Sequence, residues 1–570
     1  MIITKTKFIN YTKCPRYINK DKPLDIVTYD DYKKEENNAN YQDIMDNLGV
    51  KTLDERHLET MLPYYNEVEK MAAYEAKKHF KGKFNFSKKT YKQTKFSCQI
   101  GNINYLCYVD VYNEDKEINI IEAKSTTTTK FLKDGIFEKK NNIYYPKEIS
   151  DKLLDRLNDA GHYIYDLAVQ RYIIEKTNPK KKVNYYLAVL NSNYIFDGTY
   201  KNGKPDYKEI NGESLINLIN VNDITEKMQK QVDEDRKLLE KYLFKYLNKN
   251  VPDDYYCDNA LVKSCLCLNT SLKILNEKNS ITNFLDSSRG FKKGSHTYTV
   301  IDLIKKGYKK IVDVPDEYLN REKNKIQKQT IIQNKPYINK EKIIQGLKLI
   351  KYPIYHLDFE TFPCPLPRFK GEKPYTQSVF QFSLHIQNEE GKLDKIKDHY
   401  GYLAKDNNDH RLELIKEMCD HIKDGTVLVY NDSFEKTRLL ELSNIFPEYK
   451  DKLLNIRNNV FDLLNLVKSN TKLYEKLNFS KEEAKMFNYY HPNMCGSFSI
   501  KKVLPVLSNL TYENMEIGNG VEALLTYANF QKMDQKTYKN KYNELIEYCC
   551  QDTYAMYCVL EGLRNIVVKR

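Results

Sequence analysis

The stretch YHLDFETF, from Tyr355 to Phe362, restricts the possible folds of this chain more than any other. An apolar run, Leu347 to Leu357, broken by Lys348, Lys351 and Pro353, leads into Asp358-Phe359-Glu360. Residues two apart on a strand point to the same face, so Asp358 and Glu360 project side by side from an otherwise apolar strand. Two carboxylates so placed repel each other and lose hydration unless a cation lies between them. Hard divalent ions such as Mg²⁺ and Mn²⁺ take such oxygen ligands, usually together with substrate phosphates. Paired metals are a standard means of cleaving a phosphodiester. The plain alternative is an exposed acidic pair at a strand end. Carboxylates further along the chain decide between the two.

They follow at helical spacing. Gly425–Leu442 (GTVLVYNDSFEKTRLLEL) reads as a strand, Thr426 to Tyr430, and then a helix, with Asn431 and Glu435 four apart. Tyr542–Leu563 reads as a strongly amphipathic helix carrying Tyr548 and Asp552, also four apart and therefore on one face. Asp462, in FDLLNL, is expected to be structural, as a strand-end or helix-cap carboxylate. Lys501 and Lys502, in CGSFSIKKVLPVL, are expected to be solvated, with phosphate contact as the alternative.

An earlier segment, SCQIGNINYLCYVDVYNEDKEINIIEAKST, contains two alternating strands joined by a polar turn at Asn113–Glu117. Asp110 ends the first strand and Glu122-Ala123-Lys124 the second, with Glu122 and Lys124 on one face. A helix with Gln170 and Tyr172 and a strand from Val183 come next.

Composition bounds the rest. The chain has 570 residues, too many for one core, and about two to four domains are expected. Three regions separate by pattern: 1–275, a basic helix or linker over 276–346, and 347–570. The net charge of +13, from 91 Lys and Arg against 78 Asp and Glu, favours a polyanionic partner, although lysine-rich surfaces also serve solubility. Met1-Ile2-Ile3 is followed at once by polar residues, and no apolar run approaches bilayer length, so a cytoplasmic protein without membrane association is expected. The 12 cysteines are then thiols or metal ligands. Cys98, Cys107, Cys419 and Cys558 read as buried apolar positions, whereas Cys257, Cys265 and Cys267 crowd one polar segment and Cys14 stands in TKCPR.

The C-terminal order DxE, N-x3-E, Y-x3-D resembles the RNase H-like 3′→5′ exonucleases of the DEDD type, and its tyrosine places it with the DEDDy branch. That family usually has Asp where Glu435 stands; Asp432 lies three residues before it, and Glu435 is favoured by position. The resemblance implies that Asp358, Glu360, Glu435 and Asp552 hold two metals, with Tyr548 orienting the attacking water. The D-x11-E-x-K spacing resembles the PD-(D/E)XK nuclease core, which implies metal ligation by Asp110 and Glu122 and a water-orienting Lys124. RecB-type members add a glutamine and a tyrosine on the next helix. Gln170 matches, while Tyr172 stands at Q-x-Y instead of Q-x3-Y. Their further ligand on the first core helix has two candidates here, Glu67 and Glu69, which also read as solvated helix charges.

RecB-like nuclease relatives also carry one cysteine before the core and three after it, clamping a [4Fe–4S] cluster. Cys14 with Cys257, Cys265 and Cys267 has that layout, although C-x7-C-x-C departs from the usual spacing. Zinc bound by four thiolates, or remnant thiols, are the alternatives. The phrases LDFETF, RFKGEKPYTQSVFQFSLH, VYNDSFEKTRL, YYHPNMCGSFSIKKVLP and YLAVLNSNYIFDG resemble an uncharacterised bacterial family that fuses the two nuclease domains. The expectation is therefore an α/β protein, an N-terminal restriction-endonuclease-like domain followed by an RNase H-like one, acting on DNA. An exoribonuclease and a catalytically degenerate nucleic-acid-binding scaffold are the alternatives. Arg368, Lys370 and Lys373, near Tyr375 and Phe380, are expected either to guide a strand or to form a plain surface loop.

Overall fold

A computed structural model describes residues 1–21, 41–50, 53–257, 267, 277–513 and 515–568. The chain divides into two compact units, Met1–Thr270 with Pro363–Thr376, and Ser271–Phe362 with Gln377–Arg570. Both are mixed α/β.

In the first unit, β1 (Ile2–Thr4) runs directly into α1 (Lys5–Lys13), with the Thr4 hydroxyl capping the helix by accepting from the Lys7 N–H at 3.3 Å. Next come α2 (Arg16–Asp21), the long α3 (Glu55–His79), β2 (Lys83–Phe86), β3 (Thr94–Ile100), β4 (Ile103–Val109), β5 (Val111–Glu114) and β6 (Ile118–Thr127). A hairpin of β7 (Gly135–Lys140) and β8 (Ile143–Ile149) precedes α4 (Gly161–Glu175), β9 (Val183–Leu190), β10 (Ile216–Asn220) and α5 (Gln229–Tyr246). Seven strands form one sheet in the order β2-β5-β6-β9-β10-β8-β7, and β1-β4-β3 form another.

The strand expected to end at Asp110 and turn at Asn113–Glu117 divides at Asp110: β4 pairs with β3 in the smaller sheet, and the short β5 pairs antiparallel with β6, which runs parallel to β9 with Glu122 opposite Leu187. A strand covered on both faces must be apolar throughout; eight of the ten β6 residues are buried. Ile121 packs with α3, whereas Ile120 packs with α1 and α4. Alternation therefore sends Glu122 and Lys124 towards α1 and α4.

In the second unit, residues expected as a basic helix or linker contribute helices and 3₁₀ turns, including α6 (Glu322–Gln333), whose Asn324, Gln327 and Thr330 are buried. A separate connector would be solvated on all sides; this one is instead tied in, Gln327 donating to the Asn283 carbonyl at 2.9 Å and to the Tyr490 hydroxyl at 2.9 Å. The sheet is built from β11 (Ile354–Pro363), β12 (Gln377–Gln387), β13 (His399–Leu403), β14 (Thr426–Val429) and β15 (Val460–Asp462), in the order β13-β12-β11-β14-β15. β11, β14 and β15 are parallel neighbours. Helices α7 (Arg411–His421) and α8 (Ser433–Ile445) pack on one face, against Tyr355, Leu357 and Phe359. Helices α9 (Ile500–Leu507) and α11 (Gln535–Val568) cover the other with Ile354 and Leu428, and α10 (Gly520–Ala528) lies between them in the chain. The even-numbered β11 side chains, Asp358 and Glu360 among them, therefore face the α11 side. They are the two residues of β11 that are not fully buried.

No helix among the described residues is long and apolar enough to cross a membrane.

Candidate functional site

One face of β11 and one face of α11 bring three carboxylates together. Ligand oxygens of Asp358, Glu360 and Asp552 lie within 4.8 Å of one another. Burial, and the mutual repulsion of Asp358, Asp552, Glu360 and Glu435, push the Asp358 carboxyl well above the usual range. Burial and Asp552 raise Glu360 to about 8, partly opposed by Lys501. Such a set holds either protons or a cation. Asp552 is also raised by burial, but hydrogen bonds from the Tyr512 and Tyr548 hydroxyls oppose that rise. Tyr512 donates to Asp552 Oδ1 at 2.6 Å. Burial and Asp552 drive the Tyr548 phenol far up, so its proton stays on oxygen and it acts as a donor.

Glu435 sits on the first turn of α8, 3 % exposed, with its Oε2 buried and without a hydrogen-bond partner. Its oxygens fall outside the tight group of three, yet it raises Asp358 electrostatically. Burial, with Asp462 and Asp432 nearby, lifts Glu435 itself to about 8. Asp432 is instead ion-paired with Lys436, half-buried at the surface. Of the two, Glu435 is the one whose carboxyl has an oxygen without a partner. Asp462 accepts the Asn431 and Leu464 backbone N–H groups at 2.8 and 2.9 Å, a structural role that its position at the end of β15 anticipates.

Two further neighbours complete the site, and of these Tyr512 left no sign in the sequence. Tyr512 lies in an irregular loop with no periodicity to flag it. Lys501, expected to be solvated, lies 5.3 Å over the Tyr512 ring and 5.8 Å over the Tyr548 ring, and its ammonium donates to the Gly518 carbonyl. A Cβ on Gly520, the first residue of α10, would stand 3.4 Å from Glu360 Oε2, so this helix start closes on the carboxylates. An all-oxygen donor set with an unpartnered carboxylate oxygen beside it fits a hard divalent ion.

The first unit gathers Asp110, Glu122, Lys124 and Gln170 as well. Glu122 Oε1 accepts from Lys124 Nζ at 2.8 Å and Oε2 from Gln170 Nε2 at 2.7 Å. Asp110 accepts the Ala123 N–H at 2.9 Å. Burial and the charges of Glu122 and Glu69 push the Asp110 carboxyl well up. That separates the two α3 candidates: Glu69 acts on Asp110, while Glu67 is taken by Lys88 at 2.6 Å. Tyr172 donates to Asp233 at 2.8 Å instead of joining the group. Two members are new. Asp166 on α4 pairs with Lys124, and Lys5 on α1 reaches Glu122 at 2.8 Å and Asp166 at 3.1 Å. Asp166 could have been found, because it precedes Gln170 by four on the same helix face. Lys5 left no signal. Burial opposes the Lys5 charge, but Asp166 and Glu122 outweigh it and hold its ammonium well above the ordinary range.

Cys14, Cys257 and Cys267 are all buried, with Cys14 Sγ 3.7 Å and Cys257 Sγ 3.2 Å from Cys267 Sγ. Cys265 lies outside the described residues. Arg16 pins the approaching segment through the carbonyls of Val251, Pro252, Asp253 and Tyr255 at 2.7–3.4 Å. Three sulfurs this close suit a thiolate-bound metal: about 3.8 Å separates sulfurs around one tetrahedral ion with bonds of about 2.3 Å.

In the segment expected either to guide a strand or to form a plain surface loop, the aromatic residues are occupied within the fold. Phe380 lies in β12, 2 % exposed and stacked on Tyr527 at 4.0 Å, so it cannot stack on a base. The Tyr375 hydroxyl donates to the Ser125 carbonyl, and Arg368 and Gly371 are held by Tyr200 and Phe196 through their backbones.

The family described as "Domain of unknown function (DUF2779)" matches residues 355–499, which include Asp358, Glu360 and Glu435 and stop short of Tyr512, Tyr548 and Asp552. The chain is 28 % identical over 240 residues to "Uncharacterized protein MG366" of Mycoplasma genitalium, covering 39 % of this chain and 33 % of that one. It is 28 % identical over 245 residues to the homolog from Mycoplasma pneumoniae, covering 39 % and 34 %. The match spans about a third of the length of these relatives. No solved structure matches the chain.

Proposed function

We propose that the chain is a metal-dependent DNA nuclease. Its second unit would be an RNase H-like, DEDDy-type 3′→5′ exonuclease, and its first a RecB-like PD-(D/E)XK domain with a metal at Cys14, Cys257 and Cys267, either a [4Fe–4S] cluster or zinc. One observation carries the reading: Asp358 and Glu360 from β11 meet Asp552 from α11, with Tyr548 one turn away on the same helix face.

Mg²⁺ or Mn²⁺ held by Asp358, Glu360 and Asp552, with Glu435 beside them, would neutralise a phosphate and favour proton loss from water. The chain's own groups do the positioning. Tyr512 fixes the Asp552 carboxylate by its hydrogen bond, and Tyr548 keeps a hydroxyl proton to orient a nucleophile. The Lys501 ammonium, next to Glu360 and Asp552, attracts a phosphodiester towards the carboxylates. The net charge of +13 agrees with a polyanionic substrate.

The test is digestion of DNA labelled at either end, single- and double-stranded, with matched RNA, in Mn²⁺. Stepwise loss from the 3′ end of DNA is expected. Preference for RNA would convert the reading to an exoribonuclease; no cleavage of any substrate would sink it.

A further inference from the structure

The carboxylates of the first unit do not fit a divalent ion as those of the second do. Both oxygens of Glu122 are already occupied: Oε1 accepts from Lys5 Nζ and Lys124 Nζ, each at 2.8 Å, and Oε2 accepts from Gln170 at 2.7 Å. Asp166 Oδ2 takes the same two ammonium groups, Lys5 at 3.1 Å and Lys124 closer still. Asp110 gives one oxygen to the Ala123 N–H at 2.9 Å and the other to Gln93 Nε2 at 3.4 Å. Two carboxylates and two ammoniums thus share one closed ionic set. Among the described residues, no triple of ligand atoms gathers around Asp110 and Glu122 as it does around Asp358.

Lys5 is not a drifting surface lysine. Its side chain is 15 % exposed and that of Lys124 8 %. Helix α1 is fixed at its start by β1, which pairs with β4 through Ile2, Ile3 and Thr4. Its buried Phe8 and Tyr11 hold the middle, and Cys14 closes its end against Cys267. A divalent ion entering beside Glu122 would meet two fixed like charges at short range in a poorly screened interior.

We infer that Lys5 is a built-in cation that takes the place of a divalent metal at Glu122 and Asp166, so the first unit binds no divalent ion while α1 is seated. The inference does not rest on the exonuclease reading. It leaves metal-dependent chemistry to the second unit and makes α1, held at its far end by the cysteine group, the element that keeps the first site filled.

Mn²⁺ binding to the full-length protein, followed by electron paramagnetic resonance of the free ion, tests it. In an Asp358→Asn/Glu360→Gln background, wild-type Lys5 is expected to leave no site that Glu122→Gln can remove. Lys5→Gln in that background should raise Mn²⁺ affinity at least about tenfold, the scale of relieving one short-range like-charge contact, and Glu122→Gln should abolish the gain. Lys5→Arg should behave as wild type. A Glu122-dependent Mn²⁺ site with Lys5 intact would overturn the inference, as would a folded Lys5→Gln protein that gains none. If Lys5→Gln fails to fold, as circular dichroism would show, the Glu122→Gln comparison with Lys5 intact decides alone. Unchanged Mn²⁺ binding on loss of Asp358 and Glu360 would instead count against the exonuclease reading.

Discussion

Glu435→Gln should stabilise the metal-free protein at neutral and alkaline pH while weakening its hold on divalent metal. The side chain is 3 % exposed and one oxygen has no partner, so burial, together with Asp462 and Asp432, raises its carboxyl from the ordinary 4.5 to about 8. An unfolded chain releases that proton near 4.5, whereas the folded one keeps it to about 8. Stability is therefore fully present below 4.5 and is lost as pH rises to about 8, levelling off beyond. At about 1.4 kcal/mol per pH unit, the loss reaches about 5 kcal/mol. Glutamine has nearly the same shape and does not ionise, so the variant should match wild type within about 1 kcal/mol at pH 4.5. By pH 8 it should exceed wild type by up to about 5 kcal/mol, or about 10 °C in melting temperature. The measurement is paired thermal melts from pH 4.5 to 9 in metal-free buffer, repeated with Mn²⁺. Mn²⁺ should raise wild type more than the variant, because it binds only the folded state. Parallel pH curves for the two proteins would refute the claim that Glu435 is a buried carboxyl without compensation.

Four further outcomes are expected. If the proposed exonuclease reading holds, Asp358→Asn lowers the rate by at least about 10²-fold, as loss of a group that stabilises transition-state charge does, with a melting temperature unchanged or raised in metal-free buffer. Mn²⁺ affinity should rise with pH up to about 8, because the Glu360 proton must leave before the ion binds; a flat profile in calorimetric titrations would contradict this. Tyr512→Phe should cost about 1 kcal/mol in urea unfolding through the lost hydrogen bond to Asp552 and lower kcat more than it raises KM. Arg16→Ala should leave four carbonyls without their donor and cost about 1–3 kcal/mol, and elemental analysis should find less metal per chain at the cysteines.

Alternation and helical spacing carried most of the second unit's site. DFE on a strand and Y-x3-D on a helix each fix which side chains share a face, and the structure places those faces together. The same logic gave Glu122 and Lys124 on β6, with Gln170 on α4 reaching Glu122. It missed groups that arrive from segments without periodicity. Tyr512 comes from an irregular loop, and Lys5 from a helix far away in the chain. The basic helix or linker expected over 276–346 contains helix α6, but its packing was not legible: a charged, polar helix looks solvated until Gln327 finds the Asn283 carbonyl and the Tyr490 hydroxyl.

By itself the sequence determined which residues could act together along each strand and helix, because local geometry repeats every two or 3.6 residues. Only the tertiary structure decided what faces them. The β11 carboxylates meet Asp552, with the unpartnered Glu435 oxygen nearby, and so hold either protons or a cation from outside. Those on β6 meet Lys5 and Lys124, which supply the positive charge from within the chain. The two carboxylate sets look alike in one dimension, and the charges packed against them set them apart.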